Sequence, residues 1–494
     1  MDWLVAELAG LDSIGRPVGL RAVPTDSEPV ADVAAVAAEV ETLPVAESPA
    51  GALQQAHSVF RRWLGDAYDL DSLDAVLAAA AVEKLDGDPV WLLLVSGAGA
   101  AKTETVTALL GAGATVTSTI TSEGALLSAT SSKEKAKDAT GGLLRKLGDR
   151  GLLVIKDFTS ILSMNRDSRA AVLAALREIY DGRWERNVGT DGGKTLTWIG
   201  RLVVIGAVTT AYDSAHGVIA AMGDRFALVR IDSCAGRLES GRQALRNVGH
   251  ETQMRAELAE AAGRVLADVD PARAVLTDPV MDALLAVANL VTLARTACER
   301  DYRGDVIEAH APEAPTRFAK MLAQVVRGGL AVGADEGHAV AVAMRVAGDS
   351  VPPLRLLLLG DVQAHPCTRT TEVTGRVQRP RSTVDRVLQE LHYLGLLIVD
   401  ELADNKGWRY SLAPDVDLTA LDRLHTRNVT TPGYWKREEA LQVPLGTDKP
   451  GVAPGVPPAT DKPGAPCSVC QLPVDPALAG NTHPACSPDD RASR

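Results

Sequence analysis

The stretch Trp91-Leu92-Leu93-Leu94-Val95-Ser96-Gly97-Ala98-Gly99-Ala100-Ala101-Lys102-Thr103 constrains this chain more than any other. Five consecutive apolar residues without polar alternation predict a strand buried on both faces, as inside a parallel sheet. The small residues that follow permit a tight loop, and Lys102-Thr103 opens a helical stretch. Strand, small-residue loop and helix in that order aim backbone N–H groups at a helix N-terminus, an arrangement suited to a phosphate. The P-loop pattern has glycine where Ser96 and Ala101 stand here, followed by Lys and Ser/Thr. Both replacements are small, so the loop stays compact. In this reading Ser96, Gly97, Ala98, Gly99, Ala100 and Ala101 wrap the phosphates of ATP, Lys102 neutralises the β- and γ-phosphates, and Thr103 holds Mg²⁺. The competing reading is an ordinary strand-to-helix turn carrying a surface lysine.

The chain has 494 residues, and at roughly 150 residues per domain that predicts about three domains. An apolar fraction of 46% is ample for buried cores, and the net charge of −12 means that any nucleic-acid contact must be a local patch. Aromatic residues make up 4%, too few for a protein that grips single strands mainly by base stacking. Ala, Val, Gly and Arg far outweigh Lys, Asn and Ile, as in a GC-rich bacterial genome or its phages. No run reaches about 18 uninterrupted apolar residues, and the start lacks the basic flank of a signal peptide. The expectation is a soluble cytoplasmic protein with no membrane partner.

Short apolar strands alternate with helical stretches up to about residue 232, an α/β pattern. Leu152–Ile155 runs into Lys156-Asp157-Phe158, and an acid at a strand end beside a P-loop is where Mg²⁺ and an attacking water need one. Leu202–Val208 ends in Thr209-Thr210, and Asp224-Arg225-Phe226 precedes another apolar stretch. Trp184–Val188 and Thr195–Ile199 flank Asp191-Gly192-Gly193, which predicts a hairpin. Residues 250–350 have helical period almost throughout. His250 and His310 belong to no visible constellation, and Cys234, Cys298 and Cys367 read as isolated small residues.

In order and spacing these residues resemble the AAA+ ATPases, and among them the minichromosome-maintenance-like replicative helicases, over about residues 55–410. The resemblance implies a metal- and water-handling acid at Asp157, a water-sensing residue at Thr209, an arginine finger at Arg225, and at Arg317 of Pro315-Thr316-Arg317-Phe318 a second arginine reaching the γ-phosphate of a neighbouring subunit. It implies a homo-oligomer, most simply a hexameric ring, and a pore hairpin in which Arg186 and Lys194 meet DNA. A solvated turn is the alternative for that hairpin. The family's paired strand-end acids are reduced here to Lys156-Asp157. Either Asp157 alone serves metal and water, or the register shifts so that Phe158 stands where the second acid would be.

Residues 354–362, Thr370–Val377 and a third stretch from Pro380 to Leu394 predict three helices, the last capped by Ser382. Leu396–Glu401 and Trp408–Leu412 predict a hairpin, and the whole resembles a winged helix. Arg369, Arg376, Arg379, Arg381 and Arg386 outnumber Glu372 and Asp385 locally, which suits phosphate contact at a recognition helix. Arg376, Arg379, Arg381 and Arg386 are the candidate DNA ligands; protein docking is the alternative use of such a module. Residues 443–466 are Pro- and Gly-rich and repeat Thr-Asp-Lys-Pro-Gly, as a tether does. Beyond it Cys467-x2-Cys470-x12-His483-x2-Cys486 has the spacing of a Cys₃His Zn²⁺ site.

The expected fold class is therefore α/β: a flexible segment (1–50), an AAA+ P-loop core (51–245), a helical lid (246–350), a winged helix (351–415), a connecting segment and tether (416–466) and a zinc module (467–494). The expected function is that of an ATP-dependent, DNA-acting motor, a replicative-type helicase or translocase of a bacterial chromosome, plasmid or phage-like element, working with replication proteins. The alternatives are a AAA+ loader or remodeller of a protein partner, and an ATP-switched DNA-binding regulator with little turnover.

Overall fold

In a computed structural model the described residues are 48–129, 141–189, 192–221, 224–401 and 408–425. The Cys467, Cys470, His483 and Cys486 set, the tether and most of the N-terminal segment lie outside them. All described elements belong to one compact unit, and among the described residues no helix is long and apolar enough to cross a membrane.

The centre is a five-stranded parallel sheet of β1 (Trp91–Val95), β2 (Thr115–Thr117), β3 (Arg150–Ile155), β6 (Arg201–Val208) and β7 (Ala227–Arg230), in the order β2-β3-β6-β1-β7. Between β3 and β6 in sequence, β4 (Arg183–Val188) and β5 (Lys194–Ile199) pair as an antiparallel hairpin. Every residue of β1 is buried, as expected for a strand with neighbours on both sides and helices on both faces. Trp91 reaches this position because its indole N–H donates to the Leu202 carbonyl at 2.8 Å, which satisfies its polar edge. The short β2, polar and partly exposed, escaped the sequence reading.

The strand order fixes where a ligand can sit. From β1 the chain crosses to the far edge at β2, works back through β3 and β6, and finally adds β7 on the other side of β1. The order reverses at β1, and in open parallel sheets the crevice at such a switch point, beyond the carboxyl ends of the strands, is where ligands bind.

Helices 246–350 pack onto this core by close backbone approach. Gly111 and Gly263 meet where Glu251–Ala267 crosses the turn Ala108–Ala112, and a Cβ on Gly111 would lie 1.8 Å from the Ala259 carbonyl oxygen. Gly328 does the same where Pro315–Ala331 crosses Leu70–Ala81: a Cβ there would lie 2.0 Å from the Ala78 oxygen. Polar clamps reinforce the seam. Asp74 (5% exposed) accepts from His57 Nε2 at 2.5 Å and His338 Nε2 at 2.7 Å, and Arg345 forks onto Asp69. The region 250–350, expected to be helical almost throughout, also contains an antiparallel hairpin, β8 (Cys298–Arg300) with β9 (Val306–Ala309).

Residues 353–412 form helices Pro353–Ala364, Thr370–Val377 and Arg381–Tyr393, and a three-stranded antiparallel sheet of β10 (Thr368–Arg369), β11 (Leu397–Glu401) and β12 (Trp408–Leu412) in the order β10-β12-β11. Ser382 is not the cap of the third helix. That position is held by Pro380, no side chain caps the helix, and Ser382 lies in its first turn. The buried Arg355 joins this unit to the helices before it: it donates to Glu390 Oε2 at 3.1 Å and to the carbonyls of Ala294 and Thr296 at 2.9 and 2.6 Å.

Candidate functional site

The loop 96–101 leaves the carboxyl end of β1 at the switch point and leads directly into helix Lys102–Thr107. Ala101, the position where the P-loop pattern has its second glycine, adopts φ 54°, in the left-handed region. The loop thus takes a conformation that glycine favours and alanine tolerates at a cost. Gly99 has φ 81° and open space where a side chain would stand. Ala98, Gly99 and Thr103 face solvent.

Lys102 points back into the loop. Its Nζ donates to Ser96 O at 2.9 Å, Ser96 Oγ at 2.8 Å and Gly97 O at 2.6 Å. The residue is 8% exposed, and burial pushes its ammonium down to about 8 because the charged form loses water. The reading of Lys102 as a surface lysine therefore fails: the amine is buried in the loop.

Because the strands are parallel, Asp157 at the end of β3 and Thr209 at the end of β6 come to the same edge as the loop, in the register Val95↔Val208 and Ile155↔Gly206. At about 4.8 Å per strand, the loop and Asp157 are separated by roughly 10 Å. Asp157 is exposed and already engaged, accepting from Ser160 N at 3.3 Å and from Ser160 Oγ. Thr209 N donates to Thr159 Oγ1 at 3.0 Å, so Thr159 orients it. Ser233 was not foreseen. After β7 the chain passes beside the loop, and a Cβ on Gly97 would lie 2.8 Å from Ser233 Oγ.

Arg225 and Arg317 are not at this edge. Phe226 precedes β7, whose Ala227 pairs with Leu92, so Arg225 lies near the amino end of β1, at roughly 20 Å of strand from the loop. It donates to Asp181 Oδ2 at 3.2 Å and its guanidinium sits 5.7 Å from the Tyr180 ring centre. Arg317 donates to Glu313 Oε1 at 2.8 Å and lines a cavity of about 300 Å³ that Asp224 also lines. Both arginines are thus remote from the loop of their own chain.

Of the candidate DNA ligands, three are engaged by other parts of the fold, Arg376 while exposed and Arg186 and Arg386 while half-buried. Arg186 donates to Glu123 Oε1 at 3.1 Å and to the Leu127 carbonyl at 2.8 Å. Arg376 forks onto Asp361 at 2.8 and 2.7 Å, and Arg386 donates to the Arg303 carbonyl at 2.7 Å. These bonds hold elements of the fold together. Lys194 is exposed at the start of β5, Arg381 is exposed in the first turn of its helix, and Arg379 just before it is half-buried.

No family model matches this chain, and no curated protein matches it. A solved structure described as the A form apo structure of the NrS-1 C-terminal region aligns over 76% of this chain and 77% of that one, with 12% identity and a TM-score of 0.24, below the level at which a shared fold follows.

Proposed function

We propose that this chain is an ATP-dependent motor acting on DNA, a AAA+ P-loop ATPase whose core, helical lid and C-terminal winged helix work in a homo-oligomeric ring, as replicative helicases and translocases do. Lys102 carries the reading: a buried lysine in a left-handed small-residue loop at the switch point of a parallel sheet. A phosphate entering the loop would draw the amine away from the carbonyls of Ser96 and Gly97 and raise its pKa again. Thr103 and Asp157 would hold Mg²⁺, and Thr209 would orient water. Arg225 and Arg317, remote from their own loop, suit action on the nucleotide of an adjacent copy. Arg376, Arg379, Arg381 and Lys194, all at least partly exposed, are the cations proposed to meet DNA. The Cys467, Cys470, His483 and Cys486 set is proposed to bind Zn²⁺.

One observation favours a second reading, an ATP-switched DNA-binding regulator. Both oxygens of Asp157 are taken up by Ser160, and Lys156 stands where a second acid would help. ATPase rate with and without single- and double-stranded DNA, run beside a strand-displacement assay, separates the two. Strand displacement supports the motor. Nucleotide binding without turnover supports the switch, and DNA-stimulated turnover without displacement supports a loader of a protein partner.

A further inference from the structure

Among the described residues Tyr302 is the most exposed large apolar side chain, at 89%. It stands at the tip of the β8–β9 hairpin, where Asp301 Oδ1 accepts from Arg303 N at 2.8 Å and from Asp305 N at 2.9 Å and so fixes the turn. Arg303 Nε donates to Tyr302 Oη at 2.8 Å, which holds the ring by its hydroxyl edge and leaves its faces to solvent. The hairpin is braced against helix Arg381–Tyr393. Arg300 Nε donates to Glu390 Oε1 at 3.0 Å, Arg386 Nη2 donates to the Arg303 carbonyl at 2.7 Å, and a Cβ on Gly304 would lie 2.9 Å from Arg386 Cζ. Residue 300 is thus level with 390 and residue 303 with 386, so β8 runs towards the N-terminal end of that helix. From Arg386 to Arg381 is roughly 7.5 Å of helix rise. In a helix-turn-helix module the N-terminal end of this helix is the part that meets the bases.

We infer that Tyr302 is a stacking platform for the first unpaired DNA base beside a duplex held by helix Arg381–Tyr393, so that the C-terminal unit recognises a junction of single and double strand. The exposed acids of the hairpin, Glu299, Asp305 and Glu308, repel phosphates, so beyond Arg303 the hairpin offers DNA a ring rather than a charge. Phosphate contact falls to Arg379 and Arg381, at the end of the helix towards which the hairpin points. An aromatic face stacks on any base whose own face is free, and a base inside a duplex has none free, whereas an unpaired base at its end does. The inference rests on the reading of the C-terminal unit as a DNA module and is independent of the P-loop.

The test titrates the full chain, without nucleotide, with a forked DNA carrying 2-aminopurine at the first unpaired position and with the matching blunt duplex. The fork is expected to bind more tightly than the duplex, with quenching of the 2-aminopurine fluorescence. Tyr302→Ala is expected to weaken fork binding roughly 5- to 150-fold and abolish the quenching, with duplex affinity unchanged. Tyr302→Phe, which keeps the ring and loses the bond to Arg303, is expected to retain the quenching. Duplex binding that depends on Arg379 and Arg381 but shows no preference for the fork, or quenching undiminished in Tyr302→Ala, overturns the platform and leaves the DNA module standing. No binding of either DNA by the wild-type chain removes the module and the platform together. A Tyr302→Ala chain that binds the fork normally but sediments at lower mass than wild type assigns the ring to a contact between protein chains and also overturns the proposal.

Discussion

Replacing Lys102 with methionine separates what the lysine does for the fold from what it does for a ligand. Burial brings its pKa from 10.5 to about 8, and at about 1.36 kcal/mol per pH unit the charged form costs the folded protein roughly 3 kcal/mol at neutral pH. Against this stand the three bonds to Ser96 and Gly97. Their acceptors lie in a loop whose tip is open to solvent, so water replaces them at a loss on the order of 1 kcal/mol. Lys102→Met is therefore expected to be up to roughly 2 kcal/mol more stable at pH 7. The folded pKa lies below the unfolded one, so between pH 8 and 10.5 the unfolded chain binds more protons and wild-type stability rises with pH; the methionine variant lacks that rise. Urea unfolding at pH 7 and pH 10 measures both. ATP binding is expected to restore the ammonium, with uptake of about half a proton at pH 8, readable by calorimetry in buffers of different ionisation heat. A variant destabilised equally at both pH values, or ATP affinity that stays flat from pH 7 to 9.5, would refute the reasoning.

Other consequences are open to direct measurement. Arg225→Ala should abolish ATP turnover in the assembled protein while leaving ATP binding intact, since the residue is far from its own loop; undiminished turnover would remove it from the site. Replacing Arg379 and Arg381 with alanine should weaken DNA binding and lower the slope of log K against log salt by about 1 for each DNA phosphate no longer neutralised, and an unaltered slope would point to protein docking. Gly328→Ala should cost roughly 1–3 kcal/mol, because the added methyl meets the Ala78 carbonyl; a neutral result would show that the seam relaxes freely. The Asp74 clamp has a pH window. Burial alone would raise the Asp74 pKa, yet the bonds from His338 and His57 bring it below 3.8, and the bond to Asp74 lifts His338 above 6.5. The Asp74 contribution is complete above pH 3.8 and lost as pH falls through its lower folded value. The His338 contribution is complete below pH 6.5 and lost as pH rises through its higher folded value. His338→Ala should thus be most destabilising between about pH 4 and 6.5, as chemical denaturation across pH would show.

The sheet was legible where burial erases alternation. Trp91–Val95 reads directly as a strand because every position is apolar, and Thr370–Val377 matches its helix at both ends. β2 was hidden because three partly exposed residues, two of them threonine, leave no periodicity. The β8–β9 hairpin was hidden because Glu299, Arg300, Asp301, Arg303 and Asp305 resemble a charged helix surface as much as a turn. Lys102 was recognisable by its place in a motif, whereas its folded-back amine follows from loop geometry. The arginines were harder. Charge count identified a basic segment but not that Arg376 and Arg386 are bonded to other parts of the fold, since Asp361 and the Arg303 carbonyl come from elsewhere in sequence. His310, in no constellation by spacing, lines the cavity with Arg295, and only the packing of lid on core brings the two together.

Arg355 gives the molecule a mechanical linkage. Its single guanidinium grips Glu390, in the helix proposed to meet DNA, and the two carbonyls that flank Arg295 in sequence. A rotation of that helix has two outcomes. Either the pair breaks, stranding a buried charge at a cost on the order of 3–5 kcal/mol, or the backbone at 294–296 is dragged along. The first is expensive, so movement of that helix is coupled to the backbone at 294–296. One buried side chain thereby couples helix Arg381–Tyr393 to the backbone that follows Asp278–Ala294.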